Sequence, residues 1–184
     1  MRIIAGRARS RTIIAPEGRD TRPTLDRVRE NLFNILMRRV PDARVLDLFA
    51  GSGALSMEAV SRGAAHAVLV DCDRAAIRCI QQNIAALRFE EETRVIPADW
   101  QAAVTMLTGE QAKFDLIFLD PPYKMHDLTD VSRRLIPLLA EDALVVVEHE
   151  VRTMPALCEG FDMTDSRKYG IAGVSFFRYV GQEG

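Results

Sequence analysis

Four consecutive residues, Asp120-Pro121-Pro122-Tyr123, carry the strongest chemical signal in the sequence, because they directly follow an apolar run, Phe114-Asp-Leu-Ile-Phe-Leu119. Ligands of open α/β sheets sit at the carboxyl ends of strands. The four residues therefore set a carboxylate, a stiff proline pair and an aromatic ring where chemistry takes place. The chemistry they suit is attack by the exocyclic amine of a nucleobase. Such an amine is a poor nucleophile, since its lone pair is delocalised into the ring. Activating it takes hydrogen-bond acceptors for its protons and a flat surface to hold the base. Asp120 and the Pro121 carbonyl supply acceptors, Pro122 fixes the turn, and Tyr123 offers a stacking face. A plain strand-ending turn, for which Asp-Pro is ordinary chemistry, is the competing reading. What separates the two lies upstream.

An earlier strand-like run leads into Val45-Leu-Asp-Leu-Phe-Ala-Gly-Ser-Gly-Ala-Leu-Ser56. Gly51 and Gly53 let backbone approach a ligand closely at the start of the next helix. The dinucleotide fingerprint asks for a third glycine where Ser56 stands, which counts against a dehydrogenase. Asp47 sits poorly beside a pyrophosphate and suits a cationic cofactor better. Phe49, in the same loop, completes this part of the candidate cofactor set. Two more acids follow the next two strands. Asp71 lies at about the spacing from the glycines at which an acid reaches a ribose diol. Asp99 is placed to accept from an adenine amino group, with Trp100 against the ring. Each has a plainer reading: Asp73 and Asp99 as helix caps, Trp100 as core. Together they set acids or glycines at the ends of four consecutive strands, which coincidence explains poorly.

The elements that must position these groups alternate along the chain. Strands are expected at Arg44–Phe49, Ala67–Val70, Thr93–Pro97, Phe114–Leu119 and Ala143–Glu148. Helices are expected at Ala54–Arg62, Arg74–Leu87, Trp100–Leu107 and Leu128–Leu139. Continuous apolar strands such as Leu144-Val-Val-Val147 call for helices on both faces. The rhythm predicts an α/β fold with a doubly wound, mainly parallel sheet. Phe161–Ser166 and Val174–Val180 lack an intervening helix, so they should close the sheet, seven-stranded in all, as an antiparallel hairpin.

The 184 residues suffice for one sizeable core. No apolar run approaches the roughly 20 residues of a membrane span, and the first residues lack a signal-peptide core. Cys72, Cys79 and Cys158 lack the spacing of a zinc or redox motif, so the expectation is three reduced thiols in a cytoplasmic protein without metal. Charge is uneven. Residues 1–40 carry ten Arg against four carboxylates, a net of +6, while the rest carries −8. Two short strands near Arg2–Ala5 and Arg11–Ala15, an arginine-rich turn, and a helix from Thr24 to Pro41 therefore read as a polyanion-binding extension over residues 1–40, set on a body spanning 41–184. A solvated basic face is the alternative. His66, His126 and His149 are scattered, Lys124 and His126 stay unassigned, and Glu148 and Glu150 read as solvated strand-end acids.

These residues resemble the class I S-adenosylmethionine-dependent methyltransferases, a Rossmann-like fold. LDLFAGSG (46–53) is similar to their first motif, VDCD (70–73) to the second, ADW (98–100) to the adenine-contacting one, and DPPY (120–123) to the signature of amine methylation. RIIAG (2–6), RSRTI (9–13), TRPTLDRVRENLFNIL (21–36) and KYG (168–170) narrow the resemblance to the RsmD family of 16S ribosomal RNA guanine-N2 methyltransferases. Asp71 departs from it, standing where the longer Glu is expected. The resemblance implies S-adenosylmethionine as cofactor and 16S ribosomal RNA, within the small subunit or an assembly intermediate, as substrate. It implies Asp120, Pro121, Pro122 and Tyr123 as the catalytic set. Asp47, Phe49, Gly51, Gly53, Asp71, Asp99 and Trp100 then hold the cofactor, and Arg7, Arg9, Arg11, Arg22 and Arg29 contact RNA. DNA adenine-N6 or cytosine-N4 methylation, protein-glutamine methylation and a non-catalytic ribosome-assembly factor are the rival expectations.

Overall fold

The computed structural model describes residues 1–16, 23–122 and 124–181, with side chains at all of these except 23–25. Helix α1 (Pro23–Ile35) is followed by β1 (Arg44–Asp47), α2 (Ala54–Ser61), β2 (His66–Asp71), α3 (Arg74–Leu87), β3 (Thr93–Pro97), α4 (Trp100–Gly109) and β4 (Phe114–Leu119). Then come α5 (Thr129–Leu135), β5 (Leu139–Glu150), β6 (Phe161–Tyr169) and β7 (Ala172–Tyr179). They form one seven-stranded sheet in the order β3-β2-β1-β4-β5-β7-β6. Strands β1 to β5 are mutually parallel. The last strand inserts antiparallel between β5 and β6, which is the closing hairpin that the missing helix predicts.

Alternation along the strands builds two apolar layers. Val45, Leu69, Phe118 and Val146 join the layer beneath α1, α2 and α3, while Leu46, Val70, Ile117 and Val147 join that beneath α4 and α5. Successive side chains point to opposite faces, so strands covered on both sides must be apolar throughout. The chain runs from β1 outward to β3 and then crosses back to β4, on the other side of β1. The carboxyl ends of β1 and β4 therefore flank the point where the winding reverses, which is where such folds hold ligands.

Several local expectations change: β1 ends at Asp47 rather than Phe49, β5 begins at Leu139 rather than Ala143, and β6 runs on to Tyr169. Residues 1–16 form no strand pair but a tight loop with a single bridge, Arg2 to Thr12. The amides that would extend it are diverted: those of Ile4 and Ala5 donate to the buried Glu58 carboxylate at 2.8 and 3.0 Å, and that of Ala8 to Ser61 Oγ at 3.0 Å. This loop buries Ile3, Ala8 and Ile13 in the same core as α2 and α3. The helix expected to reach Leu139 stops at Leu135 and tightens into a 3₁₀ turn over Ile136–Leu138. Pro137, with no amide hydrogen, prevents continuation. Likewise α1 ends at Ile35 rather than near Pro41.

Candidate active site at the carboxyl edge of the sheet

Four carboxyl groups line this edge on one face. Asp47 shares its strand face with Val45, and Asp71 with Leu69. By the same alternation Asp120 follows Phe118 and Glu148 follows Val146 onto that face. Asp120 and Glu148 lie one step beyond the Leu119–Val147 pair of β4 and β5. Asp120 is exposed and Glu148 half-buried.

Between β1 and α2 the chain turns through two glycines in the left-handed region, Gly51 at φ 56° and Gly53 at φ 76°. A Cβ on Gly53 would lie 2.9 Å from Leu69 Cδ2, so the turn admits no larger residue without displacing the core. Asn83, a polar residue on the apolar face of α3, ties the turn down. Its amide donates to the Ser52 carbonyl at 3.0 Å and to that of Ile14 at 2.9 Å, and its oxygen accepts from the Ile14 amide. Asp71 accepts the Gly51 amide at 2.8 Å through one oxygen and the Asp73 amide at 2.9 Å through the other. That holds its carboxylate rigid while each oxygen keeps a lone pair for a ligand hydroxyl.

Asp47 is 1% exposed, and Ser56 Oγ donates to it at 2.9 Å. Burial pushes its carboxyl up to about 7; the Ser56 hydrogen bond opposes the shift, and the charges of Asp120 and Asp71 add to it. A buried acid in this state is best relieved by a cation. The glycine turn, the anchored Asp71 and this buried acid fit the backbone, ribose and ammonium of S-adenosylmethionine.

At β3, Asp99 caps α4, accepting the Ala102 amide at 2.9 Å; one of its oxygens is thus spent on the helix. Trp100 is half-buried against the α4–α5 layer, with the Arg134 guanidinium 5.8 Å from its ring centroid. Both plainer readings therefore hold in part. Phe49 packs against the same layer. After β4, the Pro122 carbonyl accepts the Met125 amide at 2.8 Å and closes the turn. Tyr123 and Arg22 lie outside the described residues.

The arginines divide. Arg29, expected at RNA, is 5% exposed: it bonds Asp26 Oδ1 at 3.0 Å and the Arg2 carbonyl, and its Nε stands 3.8 Å from Glu58. Desolvation lowers its pKa despite these acids. It is an internal tie between α1, α2 and the first residues, and reaches no polyanion there. Arg7 lies over Phe89 and pairs with Glu92. Arg11 donates to the Leu87 carbonyl at 3.3 Å and to that of Ala86, at the end of α3. Arg9 is exposed. Sequence reasoning also missed Glu148, which is not simply solvated. Burial first, and the Asp120 charge second, raise its carboxyl well above the ordinary range. The signal available was its position one residue past the Val145-Val-Val147 run, level with Asp120.

A family model described as conserved hypothetical protein 95 matches residues 1–178. The chain is 40% identical over 162 residues to ribosomal RNA small subunit methyltransferase D of Escherichia coli (strain K12), covering 85% of this chain and 80% of that protein. The chain belongs to the RsmD family. Among solved structures, a hypothetical protein of Thermus thermophilus, TTHA0928, superposes on this RsmD-family chain with a TM-score of 0.80 at 29% identity, covering 96% of this chain and 98% of that one. SMU.776, crystallised with SAH, superposes at a TM-score of 0.70 with 15% identity over 81% of this chain and 48% of its own, a likeness of fold alone.

Proposed function

We propose that this RsmD-family protein transfers a methyl group from S-adenosylmethionine to the exocyclic N2 amine of a guanine in 16S ribosomal RNA. The observation that carries the reading is the common edge. The glycine turn after β1 and Asp120 after β4 flank the winding reversal, and Asp120 and Asp71 both act electrostatically on Asp47. A methyl donor seated on the turn therefore faces a base held at Asp120. Support for ribosomal RNA comes from the relative in Escherichia coli, a ribosomal RNA small subunit methyltransferase.

When bound, S-adenosylmethionine would supply an electrophilic methyl whose bond to the sulfonium sulfur breaks as the methyl is transferred, leaving a neutral thioether. Asp71 accepts from the ribose hydroxyls, and the second oxygen of Asp99 from the adenine amine. Asp47, poised near neutrality, takes up the charge of the amino group. Asp120 and the Pro121 carbonyl accept the two hydrogens of the guanine amine. That draws the nitrogen toward a tetrahedral shape and turns its lone pair outward, along the line of attack. As the N–C bond forms, positive charge grows on nitrogen and the Asp120 carboxylate stabilises it; the extra proton then leaves to Asp120 or water. Pro122 holds the turn, and Tyr123 stacks on a base swung out of its helix. Arg9, with Arg7 and Arg11 beside it, meets RNA phosphates.

The test incubates the protein with methyl-labelled S-adenosylmethionine and three acceptors: small ribosomal subunits, naked 16S ribosomal RNA and duplex DNA. Digested nucleosides are identified by mass. N2-methylguanosine in RNA is the expected product, and Asp120→Asn should lower kcat by at least about 100-fold. Label in DNA as N6-methyladenine or N4-methylcytosine would overturn the reading in favour of the DNA rival. A protein that binds no S-adenosylmethionine by titration calorimetry would be the assembly factor instead.

A further inference from the structure

Glu148 stands beside Asp120 on the adjacent strand, on the same face and one residue past a paired position. Adjacent strands run about 4.8 Å apart, a spacing that lets two neighbouring carboxyls reach adjacent atoms of one flat ring. The Glu148 carboxyl makes no side-chain hydrogen bond among the described residues. A half-buried carboxyl set against a second acid is costly to the fold in its ionised form, and such groups gather where a ligand completes them.

The chemistry of that ligand follows from the hydrogen-bonding edges of the bases. Guanine presents its N2 amine next to the N1–H donor, with O6 beyond. Adenine and cytosine present their amine next to a ring nitrogen that only accepts. Two acceptors side by side therefore match guanine, while on the other two bases one acceptor meets a lone pair. We propose that Glu148 is the specificity-determining residue of the site, accepting the guanine N1–H while Asp120 accepts from the N2 amine. This rests on the guanine reading above and supplies the selection for guanine that Asp120 lacks, since Asp120 serves any exocyclic amine. Burial and the Asp120 charge favour the protonated form of Glu148. In that form one oxygen still accepts N1–H and the hydroxyl donates to O6, so the acid makes two bonds to the lactam atoms of guanine, whereas a bare ring nitrogen takes only its hydroxyl. Flipped bases are commonly read in this way, by hydrogen bonds to their Watson–Crick edge.

The probe is 2-aminopurine, which keeps the N2 amine but has a bare N1 lone pair and no O6. Once the methylated position is mapped, small subunits are reconstituted with guanine or 2-aminopurine there, and kcat/KM is measured for each. Wild type should prefer guanine by roughly 10- to 100-fold, the worth of one hydrogen bond to a charged or strongly polar group. Glu148→Leu should lower the guanine value by that factor and leave the 2-aminopurine value, collapsing the ratio. Glu148→Gln, which keeps an acceptor oxygen and a donor, should retain the preference. A structural role would instead depress both substrates together. Equal rates of wild type on the two bases overturn the proposal, and need no variant to fold. An unchanged ratio in a folded Glu148→Leu protein overturns it as well. Failure of wild type to methylate guanine at all strikes the functional reading instead.

Discussion

The buried acid at the end of β1 should cost the fold stability that its amide analogue recovers. Asp47 is 1% exposed and its carboxyl is pushed from 3.8 up to about 7. A native state that holds the proton more tightly than the unfolded chain loses stability as pH rises between the two values, and the loss is complete above the higher one. Each pH unit in that window is worth about 1.4 kcal/mol. The gap of about three units sets a ceiling of about 4 kcal/mol near pH 8, and almost nothing at pH 4. Asp47→Asn keeps an oxygen to accept the Ser56 hydroxyl and removes the ionisation. We therefore expect it to be more stable than wild type by roughly 2–4 kcal/mol at pH 8, with the advantage shrinking steadily toward pH 4. Urea denaturation of both proteins at half-unit pH steps measures the difference directly. On the proposed assignment of Asp47 to the ligand's ammonium, the same variant should also bind S-adenosylmethionine more weakly. A flat stability difference across pH 4 to 8, or a variant less stable at pH 8, would refute the reasoning.

Two further outcomes concern the first residues. A Cβ at Gly6, where φ is 81°, would lie 1.8 Å from the Ser61 carbonyl oxygen. Gly6→Ala should thus cost at least about 2 kcal/mol; a urea midpoint within experimental error of wild type would contradict the packing of this loop on α2. Arg9 and Arg11 should separate. Arg11→Ala loses the bonds to the Leu87 and Ala86 carbonyls and should lower stability by about 0.5–1 kcal/mol. Arg9→Ala should leave stability within about 0.5 kcal/mol and reduce the salt slope of RNA binding by about 1. Equal salt slopes for Arg9→Ala and wild type would remove Arg9 from the RNA surface.

Much of the edge was legible because strand ends announce themselves. Apolar runs stop abruptly at Asp71 and Asp120, and a polar group ending a buried strand sits where the sheet meets solvent. The arginines were not legible in this way. Arg9 and Arg29 look alike in sequence, yet one is exposed and the other is enclosed by Asp26, Glu58 and the Arg2 carbonyl, groups from three separate segments. Glu148 escaped for the same reason: a single acid after a valine run is ordinary until the acid on the neighbouring strand is known.

The sequence by itself determined the alternation of elements, the position of the glycine turn and the strand that ends at Asp120. These follow from local periodicity and backbone preference, which neighbouring residues alone decide. Only the tertiary structure decided that Asp47 is fully enclosed and holds its proton to near neutrality, that Asn83 and Glu58 hold the first residues against the helices, and that Glu148 faces Asp120. Desolvation and the interaction of charges depend on distances through space between residues remote in the chain. No local pattern encodes them until the sheet has assembled.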